Sequence, residues 1–249
     1  FEDTPIDLDV NAALTDTDGS EVLSITVTGV PEGATLSAGE IMEDGSWLLT
    51  PDQLEGLQVT PTADSNTDFT LTVTATASTI AGPGSEEIVD TEDTVGTILV
   101  EVLGVADAPT LDVSSPGGDE DTDVPLNIIS DLVDTDGSEV LSITVDGVPD
   151  GAVLSVGTDN GDGSWTLTPD QLSGLTITPP ENFEGDINLD IISTTTDIEA
   201  AGETTHGDDT ADMATASVTQ SLTITIDPRA DAPTLTVHDA VGTEDTAIA

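Results

Sequence analysis

A short acidic loop occurs twice in the chain and has the residue types that could hold a hard cation. Its two copies, Asp16–Glu21 and Asp134–Glu139, both read DTDGSE. Carboxylates stand at the first, third and sixth positions, and the glycine at the fourth permits a tight bend. Calcium takes about six to eight oxygen ligands, so one such loop cannot fill a calcium site alone. The spacing therefore predicts a calcium site completed by acidic residues from elsewhere.

The same spacing also has a purely structural interpretation, because Asp and Gly dominate tight turns. Two further acidic elements recur together with the loop, however. One is a Glu-Asp pair near the start of each copy, and the other is an Asp in an Ala-Asp-Ala-Pro linker. Their joint recurrence favours calcium binding over a simple turn. The candidate ligands are Glu2, Asp3, Asp16, Asp18, Glu21, Asp107, Glu120, Asp121, Asp134, Asp136, Glu139, Asp231, Glu244 and Asp245.

A long internal repeat positions these acidic elements. Residues 16–39 recur as residues 134–157 with four differences in 24 positions, an offset of 118. Further on, ADAPTL at Ala106 returns at Ala230 with an offset of 124, so the second copy is six residues longer. A near-identical repeat of this length is typical of tandem arrays.

The repeat divides the chain into two copies and the start of a third. PTLDV, which opens the second copy at Pro109, has no counterpart before Glu2, whereas PTLTV begins at Pro233. We therefore expect the first copy to lack its first strand, and the chain to be a window on a longer array. The six additional residues fall between about Thr194 and Thr219, where we expect a longer hairpin loop or an extra cation site. The predicted units are 1–107 (repeat 1), 108–231 (repeat 2) and 232–249 (first strand of a third repeat).

Hydrophobic residues within each copy follow the two-residue period of β-strands, as at Ile98 and Val100. Such runs, bounded by Gly, Pro and Asp, recur about every 8–12 residues, which is typical of a β-sandwich. One short helical turn is expected near Leu54. The sequence therefore predicts an all-β fold of tandem β-sandwich domains. The one tryptophan of each copy, Trp47 or Trp165, is expected to fill the core.

Charge and composition narrow the class of partner. The chain has 1 Lys or Arg against 51 Asp and Glu, a formal net charge of -50. Phosphate contacts and anionic lipid surfaces both require basic residues, so neither nucleic acid nor lipid is an expected partner. No apolar run approaches the roughly 18 residues of a membrane span, so no membrane insertion is expected in this segment. With no cysteines, neither disulfides nor thiolate metal sites can stabilise the fold.

Enzyme chemistry is not expected from these residues. The two histidines, His206 and His238, stand without a partnered nucleophile pattern, and no glycine-rich phosphate loop occurs. Paired acids alone are typical of glycosidases, but such a site needs an aromatic-lined cleft. Aromatic residues are only 2% of this chain. A structural or binding role is therefore predicted.

The three acidic elements together resemble a known class of repeats. An opening EDT, a DTDG loop some 12–14 residues later and a closing DAP linker are similar to the cadherin-like tandem repeats of large bacterial surface proteins. These include the extender repeats of repeats-in-toxin adhesins. The resemblance covers both copies and implies immunoglobulin-like sandwiches in an elongated array, with Ca²⁺ at the domain junctions. One departure is that Ala106 and Ala230 replace the Asn that is usual in the family linker.

The resemblance also implies how the candidate ligands group. One set joins the linker residue Asp107 to Glu120, Asp121, Asp134, Asp136 and Glu139. A second set comprises Glu2, Asp3, Asp16, Asp18 and Glu21, without a preceding linker. A third joins Asp231 to Glu244 and Asp245.

The function that the resemblance implies is a calcium-rigidified extender of a giant bacterial surface adhesin, projecting distal binding domains. Neighbouring repeats of the same chain are its expected partners, and its expected place is the extracellular bacterial surface, reached by a signal outside this fragment. The main alternative is a segment of an extracellular fibre or matrix, assembled head to tail from identical chains. In that case the PTLTV segment of one chain would complete the first domain of the next. A third alternative is direct carbohydrate binding.

Overall fold

The computed structural model describes residues 1–82, 87–135, 137–198, 214–242 and 244. Strands make up 46% of the described residues and helical residues 3%, so the predicted all-β class is confirmed. The described helical residues form two 3₁₀ turns, Pro51–Gln53 and Pro169–Gln171. None of the described helices is long and apolar enough to cross a membrane. Asp136 and Asp245 lie outside the described residues, as do residues 199–213, which form most of the stretch between about Thr194 and Thr219 where the loop expansion is predicted.

Repeat 1 contains one larger and one smaller antiparallel sheet. The five-stranded sheet has the order β4-β5-β2-β7-β8 and the three-stranded sheet the order β1-β6-β3. The strands are β1 (Ile6–Asp7), β2 (Glu21–Thr28), β3 (Thr35–Leu36), β4 (Glu40–Ile41), β5 (Trp47–Leu49), β6 (Gln58–Thr60), β7 (Phe69–Ile80) and β8 (Ile88–Val100).

Repeat 2 has the same arrangement of a larger and a smaller sheet, with additional strands. Its sheets have the orders β10-β19-β18-β13-β16-β15, β11-β17-β14 and β12-β9, and the only parallel pairing described joins β10 to β19. The strands are β9 (Thr110–Ser114), β10 (Gly118–Asp119), β11 (Val124–Pro125), β12 (Asn127–Asp131), β13 (Glu139–Asp146), β14 (Val153–Leu154), β15 (Thr158–Asp159), β16 (Trp165–Leu167), β17 (Thr176–Thr178), β18 (Gly185–Asp197) and β19 (Thr215–Asp227).

The two-residue hydrophobic period explains why these strands form. In β13, EVLSITVD, the residues at alternate positions beginning with Glu139 are buried and most of those between them are more exposed. Because successive side chains point to opposite faces of a strand, one face packs inward while the other meets solvent. The described residues form two separate hydrophobic cores, one from residues 8–102 and one from residues 124–226. Trp47 is buried in the first core and Trp165 packs against the second, as predicted.

The 3₁₀ turn of each repeat follows directly from its local sequence. In repeat 1 the Thr50 backbone N–H donates to Gln53 Oε1 at 2.8 Å. Proline at the first position fixes a φ suited to the turn, and the missing N–H costs nothing there. The short helical turn predicted near Leu54 is confirmed.

Candidate metal centre

The two copies of the acidic loop have the same sequence but different surroundings. Asp134 is 3% exposed and Glu139 is 7% exposed, whereas Asp16 and Asp18 are exposed to solvent. The two loops have the same sequence, so the difference in their solvent exposure arises from the residues that pack over each loop. The loop of repeat 2 is covered and the loop of repeat 1 is open.

The covering elements are the linker between the repeats and Glu2 of repeat 1. The Glu2 backbone N–H donates to Leu103 O at 2.9 Å, and Glu2 Oε1 accepts from the Val105 N–H at 2.6 Å. From repeat 2, Glu139 Oε1 accepts from the Asp107 N–H, also at 2.6 Å. One glutamate from each repeat thus binds the same short stretch of linker.

Asp197, the last residue of β18, is a third buried acid at this place. It is 2% exposed and pairs with Glu139 across the antiparallel ladder of β13 and β18. Its Oδ1 accepts from Asn66 Nδ2 of repeat 1 at 3.2 Å, and the same Nδ2 donates to Ile198 O. A Cβ at Gly104 would overlap the Asp197 carboxylate, so this acid lies directly against the linker backbone. We call Glu2, Asp107, Asp134, Glu139 and Asp197 the junction cluster.

The acids of the junction cluster act on one another electrostatically. Burial raises the pKa of Glu2 to about 7, opposed by the hydrogen bond from Val105 and reinforced by the nearby charges of Asp197, Asp3 and Asp134. Burial likewise raises the pKa of Glu139, with the hydrogen bond from Asp107 lowering it and the charges of Asp134, Asp107 and Asp197 adding to the rise. Like charges gathered in a poorly solvated place disfavour ionisation. Binding of a cation or a proton to the junction cluster is therefore favoured.

Two carboxylate oxygens of the cluster lack any partner. Among the described residues, the buried side-chain oxygens without a hydrogen bond are Glu2 Oε2, Glu139 Oε2 and Thr195 Oγ1. Thr195 precedes Asp197 by two residues on β18, so it lies at the same end of that strand. Burying an ionised carboxylate oxygen without a partner is costly. A cation or a proton is required to offset that cost.

The donor set fits a hard cation. It consists of carboxylate oxygens from both repeats and contains neither sulfur nor a described histidine nitrogen, which suits Ca²⁺ better than a transition metal. Within the described part of the chain, no three acidic or histidine side chains already stand close enough together to hold a metal. Binding would therefore draw the unpartnered oxygens of Glu2 and Glu139 toward a common point.

Glu120 and Asp121 lie apart from the junction cluster, whereas the ligand grouping implied by the resemblance joins them to Asp107. Glu120 Oε1 accepts from the Arg229 N–H, and the Glu120 N–H donates to Asp227 O at 2.9 Å. Asp227 and Asp197 end neighbouring antiparallel strands at opposite ends of the sheet. Thirteen strand residues separate those ends by about 40 Å. Glu120 therefore binds the linker that follows its own repeat, as Glu2 does.

Asp3 and its counterpart Asp121 each stabilise a turn. Both have a left-handed φ of 56°, which is uncommon for a residue with a side chain. Asp3 Oδ1 accepts from the Asp64 N–H at 3.0 Å, and Asp121 Oδ1 accepts from the Asn182 N–H at 2.9 Å. Their first role is therefore structural. Asp3 in addition lies close enough to Glu2 to raise its pKa.

The acidic loop of repeat 1 is held by its own hydrogen bonds. The Asp18 N–H donates to Asp16 Oδ1 at 3.0 Å, and the Ser20 N–H donates to Asp18 Oδ1 at 2.8 Å. The bonds from Ser20 lower the pKa of Asp18. Glu21 is half-buried at the start of β2. These residues form an exposed turn that no second element covers among the described residues.

The remaining predicted residues lie at the end of repeat 2 and beyond it. Asp231 and Glu244 are exposed, and Asp245 lies outside the described residues. The sole basic residue of the chain, Arg229, lies here and pairs with Asp119 at 3.4 Å between Nε and Oδ2. The junction cluster, about one strand length away, therefore has no such counter-charge from the described residues.

Sequence reasoning missed Asp197 and Asn66. The predicted ligands are acids that recur in both copies, and neither Asp197 nor Asn66 recurs. At the offset of 118, Asp197 corresponds to Thr79 and Asn66 to Glu184. The signal in the sequence is that Asp197 ends a long alternating run of polar and apolar residues.

Comparisons with known proteins assign no family. No protein-family model matches this chain, and no curated protein matches it. The interpretation of the junction cluster therefore rests on its own geometry.

Proposed function

We propose that this chain is a calcium-rigidified extender segment of a large bacterial surface adhesin. In this proposal, tandem immunoglobulin-like repeats form an elongated array that projects distal binding domains. The observation that carries the proposal is the pair of buried, unpartnered oxygens, Glu2 Oε2 and Glu139 Oε2, contributed by the two repeats to one linker. A Ca²⁺ ion between them would connect repeat 1, the linker and repeat 2 at a single point.

Electrostatics explains why an ion would change the mechanics of the junction. Like charges repel, and they do so more strongly where the effective dielectric constant is low. Without an ion the acids of the two repeats repel one another, since the charges of Asp197 and Asp134 of repeat 2 help to raise the pKa of Glu2 of repeat 1. With a divalent cation between them, the attraction of each acid to the ion exceeds this repulsion, because each acid meets two positive charges. The junction would then hold one angle, and the array would become a stiff rod.

The proposed location is the extracellular bacterial surface. Extracellular calcium modules bind with dissociation constants of about 10⁻⁴–10⁻³ M, so millimolar calcium outside the cell would fill the site. A net charge of -50 supports solubility and disfavours nucleic acid and anionic membranes. The partners in this proposal are the neighbouring repeats of the same chain, and the role is mechanical, without catalysis.

Thermal unfolding with and without calcium tests the proposal. A ligand that binds only the folded state at 100 times its dissociation constant adds about 2.7 kcal/mol of stability. We expect the Tm to rise by several degrees between chelator and saturating calcium. The variant Glu2→Gln should lose most of that rise. The exposed Glu55→Gln in the same repeat is the matched control and should keep it. Identical Tm values in chelator and calcium would refute the proposal.

A further inference from the structure

The inward face of β18 becomes polar where the strand approaches the junction cluster. Its inward residues are apolar as far as Ile191. The three that follow, Ser193, Thr195 and Asp197, are polar and are each at most 2% exposed. Burying a polar side chain without a hydrogen-bond partner costs free energy. Each of these three residues therefore needs a partner at this end of the strand.

Repeat 1 has alanine at the matching positions of its own sheet. Ala77 occupies in the ladder of β2 and β7 the place that Thr195 occupies in the ladder of β13 and β18. Ala75 likewise stands in the place of Ser193. The strand pairing of the larger sheet therefore does not itself require hydroxyl groups here, and those of repeat 2 need a separate explanation.

Hydrogen bonds account for Ser193 and Asp197 but not for the residue between them. The hydroxyl oxygens of Ser130 and Ser193 are 2.6 Å apart, and Ser130 Oγ donates to Thr110 O at 2.8 Å. Because a hydroxyl has a single proton, Ser193 is the donor to Ser130. Asp197 accepts a hydrogen bond from repeat 1. Thr195 Oγ1 is buried and has no hydrogen-bond partner among the described residues.

Thr195 lies beside the acids of the junction cluster. It is on the same face of β18 as Asp197, and two strand residues span about 6.6 Å. Glu139 is directly opposite Asp197 in the ladder of β13 and β18, so Thr195 is its diagonal neighbour. Diagonal neighbours are about 7–8 Å apart, within reach of a long side chain. Glu139 Oε2 and Thr195 Oγ1 are therefore two unpartnered oxygens on one face of two adjacent strands.

The buried side-chain atoms without a hydrogen bond in the described structure all lie at this junction. They are Glu2 Oε2 from repeat 1 and Glu139 Oε2 and Thr195 Oγ1 from repeat 2. Calcium binds oxygen ligands, and a hydroxyl adds an oxygen without adding to the negative charge of the acids. We propose that Thr195 Oγ1 is a neutral ligand of the ion held by the junction cluster, an inference that rests on the proposed calcium site. One ion would then offset the burial of all three oxygens.

Calcium titration calorimetry and urea unfolding of the 249-residue chain test this role of Thr195. Thr195→Val removes the hydroxyl and keeps the branched shape of the side chain. We expect the Kd for calcium to weaken about tenfold or more, as for loss of a group that supports a metal site. In chelator the same variant should unfold at an equal or higher urea concentration, because it no longer buries an unpartnered hydroxyl. A hydroxyl with a purely structural role would instead change the stability equally in chelator and in calcium.

Three comparison variants make the result specific. Thr195→Ser keeps the hydroxyl and should retain most of the calcium affinity. Ser193→Ala removes a buried hydroxyl that has a partner, so it should lower the stability in both conditions and leave the Kd unchanged. Glu2→Gln tests the acids in the same titration.

A Thr195→Val chain with the Kd of the parent, beside a weakened Glu2→Gln chain, overturns the role of Thr195 and leaves the proposed function standing. So does a Ser193→Ala chain whose Kd weakens as much as that of Thr195→Val. A parent chain that binds no calcium overturns both proposals.

Discussion

Glu2 and Glu139 come from different repeats and bind backbone amides only two residues apart in the linker. Glu2 Oε1 accepts from Val105 and Glu139 Oε1 from Asp107, both at 2.6 Å. Each carboxylate has one oxygen satisfied by the backbone and the other buried without a partner among the described residues. The stability of the junction should therefore respond both to protonation of this pair and to cation binding.

Neutralising Glu139 should have opposite effects with and without calcium. In chelator, Glu139→Gln removes a buried charge whose pKa is raised mainly by burial, so we expect unchanged or slightly increased stability. In calcium the same variant loses a ligand and should be less stable than the parent by about 1–3 kcal/mol. Urea unfolding in both conditions measures the difference. The exposed Glu181→Gln is the control, and a Glu139→Gln chain with a full calcium response would contradict the prediction.

The ion-free protein should lose stability as the pH rises from about 4.5 to about 7. Burial raises the pKa of Glu2 from 4.5 to about 7, so the folded state binds the proton more tightly than the unfolded state in that window. This contribution to the free energy of unfolding is present in full below pH 4.5 and disappears as the pH passes through 7. A shift of this size corresponds to at most roughly 3.4 kcal/mol.

Comparison with Glu2→Gln isolates that contribution from the general repulsion of the acidic chain. Urea unfolding in chelator at several pH values should show a shallower slope for the variant between pH 4.5 and 7. Calcium should reverse the trend for the parent, because the ion binds the deprotonated carboxylate. Parallel stability profiles for parent and variant in chelator would contradict the assignment.

Asp197 should be required for the calcium response although no counterpart exists in repeat 1. Asp197→Asn keeps an oxygen for the bond from Asn66 Nδ2 but removes the charge. We expect the calcium-induced rise in Tm to fall by at least half, with little change in the Tm in chelator. Asp190→Asn, an exposed change on the same strand, is the matched control. A full calcium response in Asp197→Asn would exclude this residue as a ligand.

A single added methyl group in the linker should disturb the junction. Gly104→Ala places a Cβ on top of the Asp197 carboxylate, so the acid or the linker must move. We expect a loss of about 1–3 kcal/mol in calcium, of the size typical for overpacking at a buried site. Gly82→Ala, whose Cβ would meet no described atom within 4 Å, is the control. Equal stability of the two variants would show that the linker is not held against Asp197.

The strands and the acidic loops could be predicted from the sequence because their signals are local. Alternation in segments such as EVLSITVD specifies which side chains face the core, and the DTDGSE loop is recognisable wherever it occurs. The spatial grouping could not be predicted, because it depends on which end of the sandwich each loop occupies. Glu120 and Asp134 are 14 residues apart in sequence, yet strand β18 separates the ends at which they lie.

Recurrence between the two copies was also insufficient to identify every residue of the candidate site. Asp197 and Asn66 act across the junction, and a junction has different residues on its two sides. A comparison of repeat 1 with repeat 2 aligns Asp197 with Thr79. Because Thr79 is not acidic, this comparison does not identify Asp197 as a candidate ligand.

The central claim, that calcium fixes the angle between the repeats, is tested most directly by a distance distribution across the junction. The chain has no cysteine, so spin labels can be placed at Glu55→Cys in repeat 1 and Glu181→Cys in repeat 2, both exposed. Pulsed electron–electron double resonance then measures the distance between the labels. We predict one narrow distribution in millimolar calcium and a broad one in chelator, with Glu2→Gln broad in both. Distributions of equal width in calcium and in chelator would contradict the account.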